Sequence, residues 1–379
     1  MKYLILLAIF NFQNLFSQSL NESIISNLPT VLNESSGLER DEQGNFWSHN
    51  DSGGEPELYH FSEEGTLLQT VKISNAENID WEDIALASNG RMFIGDFGNN
   101  GNDREDLKIL IVNINNLNPG FNLRSASIIN FSYAEQTAFP PNDTKKNFDA
   151  EAMVYKNDSI FIFTKNRTQP FDGKCYQYYL PAIPGNYQIS RSDTLYIAGG
   201  DAESRIVGAD FDSITTKLAL LTSTKVLIFQ PNTGNTLLSS TPTIKSFVNI
   251  TQKEGICWGD SCKLYFTDEY IEALNIGGKL YNAELCASLG NKKIESPEFT
   301  IYPNPSNETI FIKLNKSAFK KRNITGELLT SYGEFVKIME WNLSENEGHI
   351  ITKNLPKGLY LLNLNENGKN LNILKILIN

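Results

Sequence analysis

Between residues 36 and 268 the apolar positions come in short runs and period-two alternation, and the 3.6-residue spacing of an amphipathic helix is nearly absent. One unit recurs: a small or acidic residue, an apolar stretch, a turn, then a β-rich run ending on a polar residue. Ser36-Gly37-Leu38 leads through Asp41-Glu42-Gln43-Gly44 to Phe46-Trp47-Ser48-His49-Asn50-Asp51. Glu82-Asp83-Ile84-Ala85 leads through Ser88-Asn89-Gly90 to Met92-Phe93-Ile94-Gly95-Asp96. Further copies run from Glu151 to Lys165, from Gly208 to Ser223 and from Glu254 to Asp268. First-to-last offsets are 15, 14, 14, 15 and 14 residues, and the starting points step by 46, 69, 57 and 46. A propeller blade of four antiparallel strands takes roughly 40–50 residues, so the longer steps need insertions. Outer strands follow most hairpins, as in Leu58–Phe61 with Thr70–Ile73, Lys108–Val112 with Ile128–Phe131, and Tyr176–Tyr179 with Thr194–Ile197. The last hairpin has one clear partner, Lys279-Leu280-Tyr281. Its missing outer strand is expected from the N-terminal segment around Ile24 to Leu32, which would close a ring and remove two exposed edges. The pattern predicts an all-β chain with a β-propeller over residues 19–287, of five blades, or six if an insertion hides a weak one. An ordinary β-sandwich is the alternative.

The chain has 379 residues, with 33 Lys and Arg against 44 Asp and Glu and a net charge of −11. Its pI near 5.0 argues against a binder of nucleic-acid backbones, and three histidines leave little room for a His-rich metal site. Lys2 followed by Leu4-Ile5-Leu6-Leu7-Ala8-Ile9-Phe10 has the form of a signal peptide, expected over residues 1–18 with cleavage near Ser17 or Gln18. Asn11, Gln13 and Asn14 interrupt the run before the ~20 apolar residues of a membrane span, and no later run is long enough for one. Export permits disulfides. Cys257 and Cys262 flank a turn-like Trp258-Gly259-Asp260-Ser261, a spacing that would bring them together across a hairpin; a zinc half-site is the rival reading. Cys175 and Cys286 stay unassigned, and a monomer is expected.

Phe46-Trp47-Ser48-His49-Asn50-Asp51-Ser52-Gly53 and Gly95-Asp96-Phe97-Gly98-Asn99-Asn100 resemble secreted bacterial propellers related to esterase-like phytase and gluconolactonase-type domains. The resemblance spans about residues 30–285 and implies a propeller, not by itself a catalyst.

Ser288–Lys293 and Glu295-Ser296-Pro297 read as a linker, placed at 288–297. Composition then shifts: from Ser296 onward 10 Lys and Arg meet 8 Asp and Glu, against 23 and 36 before it. Alternating strands and turns over 298–379 predict a small β-sandwich. Thr300-Ile301-Tyr302-Pro303-Asn304-Pro305, the turn Ser331-Tyr332-Gly333-Glu334, Leu355-Pro356-Lys357-Gly358-Leu359-Tyr360 and the basic-apolar end Asn372–Asn379 resemble, in order, the C-terminal sorting domain of type IX secretion. That resemblance implies the type IX machinery as partner and delivery to the cell surface or medium.

The start of the first strand of an antiparallel hairpin and the end of the second share one edge. Glu82 is therefore expected near Asp96, Glu151 near Lys165, and Glu254 near Asp268, all at one face of the channel with Asp51. Beside the Glu151–Lys165 pair, five carboxylates at one mouth repel unless a cation is present. Asp51, Glu82, Asp96, Glu254 and Asp268 are the candidate metal ligands, and calcium, which takes six to eight oxygens, is the candidate ion. Glu82, Glu151, Lys165 and Glu254 are the candidate contacts to an extracellular ligand, with a plain Glu151–Lys165 ion pair or a water-filled acidic channel as the bland readings. The loop Asp96–Asp106 is oxygen-rich but has Leu107 where an EF-hand needs its bidentate acid, so a self-capped Asn/Gly turn is favoured. His49 is the one histidine near the mouth, read as a packed strand residue before a catalytic one. Three function classes follow: a ligand- or cation-binding surface propeller; a metal-assisted hydrolase of phosphoesters, lactones or glycosides using the same carboxylates; and a non-catalytic interaction propeller using loops such as 133–147.

Overall fold

The structure is a computed structural model that describes residues 18–231, 236–272, 276–286, 299–314, 324–330, 335–342, 347–366 and 369–378. The expected signal peptide, apart from Gln18, and the expected linker lie outside the described residues. The chain divides into two compact units, Met1–Ala287 and Ser288–Asn379.

The first unit is a five-bladed propeller. Blade I comprises Ser35–Arg40, Phe46–Asn50, Glu57–Phe61 and Leu67–Ile73 from the centre outward. Blade II comprises Trp81–Leu86, Arg91–Asp96, Lys108–Asn113 and Ser127–Tyr133; blade III comprises Asp149–Lys156, Ser159–Lys165, Lys174–Pro181 and Asp193–Tyr196. Blade IV comprises Ile206–Asp212, Lys217–Thr222, Lys225–Phe229 and Thr243–Phe247. Blade V takes three strands from the end of the unit, Lys253–Asp260, Lys263–Asp268 and Lys279–Glu284. Its outer strand is N-terminal, Glu22–Asn27, so ring closure begins a few residues before the expected Ile24–Leu32. The five innermost strands neighbour one another in order, and the fifth lies beside the first.

Burial explains why strands such as Ile160-Phe161-Ile162-Phe163 are apolar at every position. Ile160 and Ile162 join the core between blades II and III, whereas Phe161 and Phe163 join the core between III and IV. A strand covered on both faces reads as a continuous apolar run. Each pair of successive blades encloses one such cluster, and the fifth, with Leu38, Phe46 and Phe61 against Cys257, Tyr265 and Leu280, seals blade V to blade I. The long steps between repeats are extra strands. Gly120–Arg124, inserted in blade II, pairs in parallel with the outer strand of blade I, and Gly185–Ile189, inserted in blade III, does the same for blade II.

The disulfide corrects the expected pairing: Cys262 bonds to Cys286 with Cα atoms 5.1 Å apart, and Cys257 is a free, buried thiol. Cys257 stands opposite Tyr265 and points into the core between blades V and I, whereas Cys262 sits in the hairpin turn. The next ladder pairs Lys263 with Glu284, which carries Cys286 to Cys262.

In the second unit, Phe299–Tyr302, Thr309–Leu314 and Glu347–Ile351 form one sheet, and Ile324–Thr330, Gly358–Glu366 and Lys369–Ile378 another; Phe335–Asn342 pairs with both. Ile310, Ile312 and Ile350 from the first meet Leu328, Leu362 and Ile376 from the second in one core, the arrangement of a β-sandwich.

Candidate functional site: the acidic mouth of the propeller

Every innermost strand carries a β-bulge at its channel entry. In blade II, Trp81 pairs with Asp96 and Asp83 with Gly95, leaving Glu82 unpaired between them. Glu151 in blade III, Val207 in blade IV and Glu254 in blade V occupy the same place, and in blade I the register slips between Ser36 and Glu39. A bulge re-aims its extra side chain and increases local twist. Three of the five bulged residues are glutamates, and all three reach the mouth.

Carboxylate oxygens there fall into three overlapping groups, each within 4.8 Å: Asp51, Asp80 and Glu82; Asp51, Glu254 and Glu269; and Glu82, Asp149 and Glu151. Asp51 and Glu82 each belong to two groups. Glu82 is 3% exposed, and its carboxylate takes part in none of the hydrogen bonds or ion pairs of the described residues. Gly98 makes room for it, since a Cβ there would lie 2.2 Å from Glu82 Oε1 and 2.4 Å from Asp80 Oδ2.

Two cations stand on the blade III side. Lys165 Nζ donates to Glu151 Oε2 at 2.8 Å, and Arg167 donates through Nη2 to Glu151 Oε1 at 3.0 Å and through Nε to Asp149 Oδ2 at 2.6 Å. The Asn99 N–H donates to Asp149 Oδ1 at 2.6 Å. The third group is thereby largely neutralised by the protein, and the first two are left acidic.

Burial, then the charges of Glu151, Asp51, Asp149 and Asp80, pushes the Glu82 carboxyl well above the carboxylate range. Burial, with Glu254 next to it, lifts Asp51 to about 7; burial and Glu269 lift Glu254 to about 7; burial and Glu151 lift Asp149 to about 7; burial and Asp149 lift Asp80 to about 6. Burial opposes the charge of Lys165, but Glu151 and Glu254 outweigh it and hold its pKa above the usual lysine range. Burial and mutual repulsion thus raise the carboxyls of the mouth together, against the partial compensation of Lys165 and Arg167.

Of the sequence-predicted residues, Asp51, Glu82, Glu151, Lys165 and Glu254 converge here; Asp96 and Asp268 lie outside the three groups. Asp96 stands opposite Trp81 and is held by Arg104 at 3.0 Å and Lys108 at 3.1 Å. Asp268 stands opposite Lys253 and accepts from the Lys279 N–H at 2.9 Å and the Tyr281 hydroxyl at 2.7 Å. Asp80, Asp149 and Glu269 belong to the site without having been read from the sequence. A signal existed: Asp80-Trp81-Glu82 and Asp149-Ala150-Glu151 are the same Asp-x-Glu step at corresponding bulges.

Two other candidates are held by local packing and hydrogen bonds. His49 is fully buried, packs edge-on against Trp81 at 5.7 Å and bonds through Nδ1 to Asn50 O at 2.9 Å; burial lowers its pKa to about 4. The 96–106 loop is capped from within, the Asn99 side-chain oxygen accepting from the N–H groups of Asp103 and Arg104 at 2.8 and 2.9 Å.

No curated protein sequence matches the chain. Among solved structures it is similar to the PQQ-bound form of aldose sugar dehydrogenase from Streptomyces coelicolor, at 10% identity and TM-score 0.41, over 70% of this chain and 98% of that one. It is also similar to a putative gluconolactonase (11% identity, TM-score 0.38, 66% and 74% covered) and to streptogramin B lyase (11%, 0.33, 88% and 98%). Likeness at this level carries no argument about chemistry. Among the described residues no helix is long and apolar enough to cross a membrane. Residues 300–379 match the secretion system C-terminal sorting domain, the type IX address that marks a protein as secreted or attached to the cell surface and that engages the type IX machinery.

Proposed function

We propose that the propeller, delivered outside the cell by its sorting domain, binds a divalent cation at the acidic mouth through Asp51, Glu82 and Glu254, with Asp80 and Glu269 completing the oxygen set. The observation that carries this reading is Glu82: a buried carboxylate without a hydrogen-bond donor, shared by two carboxylate groups and backed by a glycine that leaves it room. Burial and its acidic neighbours hold this carboxyl in the protonated form, and a cation among such oxygens would take the proton's place. All the ligands are hard oxygens on strand ends and loops, which suits calcium better than zinc or copper. Lys165 and Arg167, held on the adjoining Glu151 and Asp149, would also favour an anionic group on whatever ligand the cation receives, the arrangement that metal-assisted hydrolysis uses.

The test is the melt of the full chain after chelation, with and without excess calcium. Saturation to 100 times the dissociation constant stabilises by roughly 2.7 kcal/mol, a shift of several degrees in the propeller transition. The shift should vanish in Glu82→Gln. No shift in the wild type, or an equal shift in the variant, overturns the reading.

A further inference from the structure

The N-terminal segment does more than supply one outer strand. Gln18–Leu20 pairs in parallel with Thr243–Phe247 of blade IV, and two residues later Glu22–Asn27 pairs antiparallel with Lys279–Glu284 of blade V. One ten-residue strap thus bridges two blades at the point where the ring closes. Its Leu20 joins Phe247, Phe266 and Tyr281 in the core between those blades.

Beneath the strap lies Lys253, whose side chain is 0% exposed. Its Nζ stands 4.5 Å from the ring centroid of Phe247 and 4.8 Å from that of Tyr281, and donates to Asn249 O at 3.2 Å and Thr251 Oγ1 at 3.0 Å. Among the described residues the only carboxylate within ion-pair reach is that of Glu22 in the strap, at 3.7 Å and 1% exposed. The Asn249 N–H donates to the same Glu22 Oε1 at 3.1 Å, and Glu22 Oε2 has no hydrogen-bond partner. Lys253 stands opposite Asp268, whose carboxylate is fixed by the Tyr281 hydroxyl, so Asp268 belongs to this chamber and not to the mouth. The residue after Lys253 is Glu254, the bulged ligand of the mouth.

We propose that Gln18–Asn27 is a closing strap, latched by Glu22 on Lys253, whose seating fixes the Lys253–Glu254 step and so assembles the blade V side of the mouth. Lys253 is then a positioning residue for Glu254. With the strap unseated, Lys253 loses both its ion-pair partner and its cover, blade V has a bare edge, and the bulge that aims Glu254 loses its anchor. Trimming of the N-terminus past Glu22 would remove the latch residue and leave a ring that cannot latch. The proposal rests on the cation reading for one of its three readouts only.

The test compares the full-length wild type with Glu22→Gln, the double variant Glu22→Gln with Lys253→Met, and Glu82→Gln. Three quantities are measured: the propeller melt, protease cleavage within the strap, and calcium affinity at a temperature where every variant is folded. Glu22→Gln should lower the melt by roughly 10 °C, expose the strap to protease and weaken calcium at least about tenfold. The double variant, which removes the buried charge altogether, should recover most of the melt and the protection even if the single variant folds poorly. Glu82→Gln should lose the calcium response with the strap intact. A Glu22→Gln protein that melts with the wild type and keeps its strap protected overturns the latch. One that is destabilised but binds calcium unchanged overturns the positioning role. If the wild type itself ignores calcium, the cation reading fails separately, and the melt and protease results still decide the latch.

Discussion

Lys165 pairs along the ladder with Asp149, yet its Nζ lies 2.8 Å from Oε2 of Glu151, two residues further on. The displacement is the work of the bulge: Ala150 pairs with Thr164 and Ala152 with Phe163, so Glu151 has no partner residue and turns toward the channel. Glu82 and Glu254 are displaced in the same way. Glu151, however, finds Lys165 and Arg167 waiting, and Glu82 finds neither within hydrogen-bond reach. The blades share one device and differ in what faces it.

That contrast predicts the effect of removing the ammonium. The Lys165 and Glu151 side chains are 15% and 4% exposed, so Lys165→Met should cost about 3 kcal/mol, a value for breaking a largely buried pair. The loss should be greater at pH 8 than at pH 5, because Glu254, lifted to about 7, loses the compensating charge of Lys165 once it ionises. Chemical denaturation at the two pH values measures the difference; equal losses would place Lys165 outside the electrostatics of the mouth.

The raised carboxyls set a pH dependence whose sign is unusual for an acidic protein. Asp51, Asp149 and Glu254 sit at about 7 and Asp80 at about 6 in the folded chain, against ordinary values near 4 when unfolded. Between these limits the folded state holds more protons than the unfolded one, so stability falls as pH rises through the folded values. Chelated protein should therefore melt higher at pH 5 than at pH 8. Excess calcium should narrow or reverse the difference, since the cation binds the deprotonated oxygens and displaces their protons. A chelated protein more stable at pH 8 than at pH 5 would contradict the ionisation assigned to the mouth.

The Cys262–Cys286 bridge closes a loop with a sequence separation of 24 at the end of the propeller unit. By loop entropy it contributes roughly 3–4 kcal/mol. Cys262→Ser with Cys286→Ser should lower the propeller melt accordingly, and the wild type should fall by the same amount under reductant. Cys257→Ser should leave the bridge intact and instead cost stability through a buried hydroxyl in the core between blades V and I.

The architecture was legible because period-two alternation and a repeat of nearly constant length report backbone geometry directly. The N-terminal closure was legible for the same reason, as a blade short of one strand. The site was legible only in part. A repeat offset of 14 suggests that Glu82 faces Asp96 and Glu254 faces Asp268, but one bulged residue per hairpin moves each acid off its partner and sends Asp96 to Arg104 and Asp268 to Tyr281. A bulge leaves little mark on composition, since it accepts any residue type; Val207 fills it in blade IV. The disulfide was misassigned for a related reason: spacing brought Cys257 and Cys262 close in sequence, whereas strand alternation turned Cys257 into the core.

Gly98 offers the sharpest test of the geometry, because its substitution changes neither charge nor any proposed ligand. Its N–H donates to Asp80 O at 3.1 Å, which fixes the backbone against the first carboxylate group. A methyl group at this point would meet Glu82 Oε1 and Asp80 Oδ2 well inside van der Waals contact. Both obstacles are side-chain ends, so Gly98→Ala should be accommodated by rotating the two carboxylates away, at a cost to stability of about 1 kcal/mol or less. The oxygens that rotate are those proposed to hold the cation. The variant should therefore keep its fold and its chelated melt within a few degrees while losing most of the calcium-induced shift. A Gly98→Ala protein with the full calcium response would show that Asp80 and Glu82 do not act together as ligands, and would move the cation toward Asp51, Glu254 and Glu269.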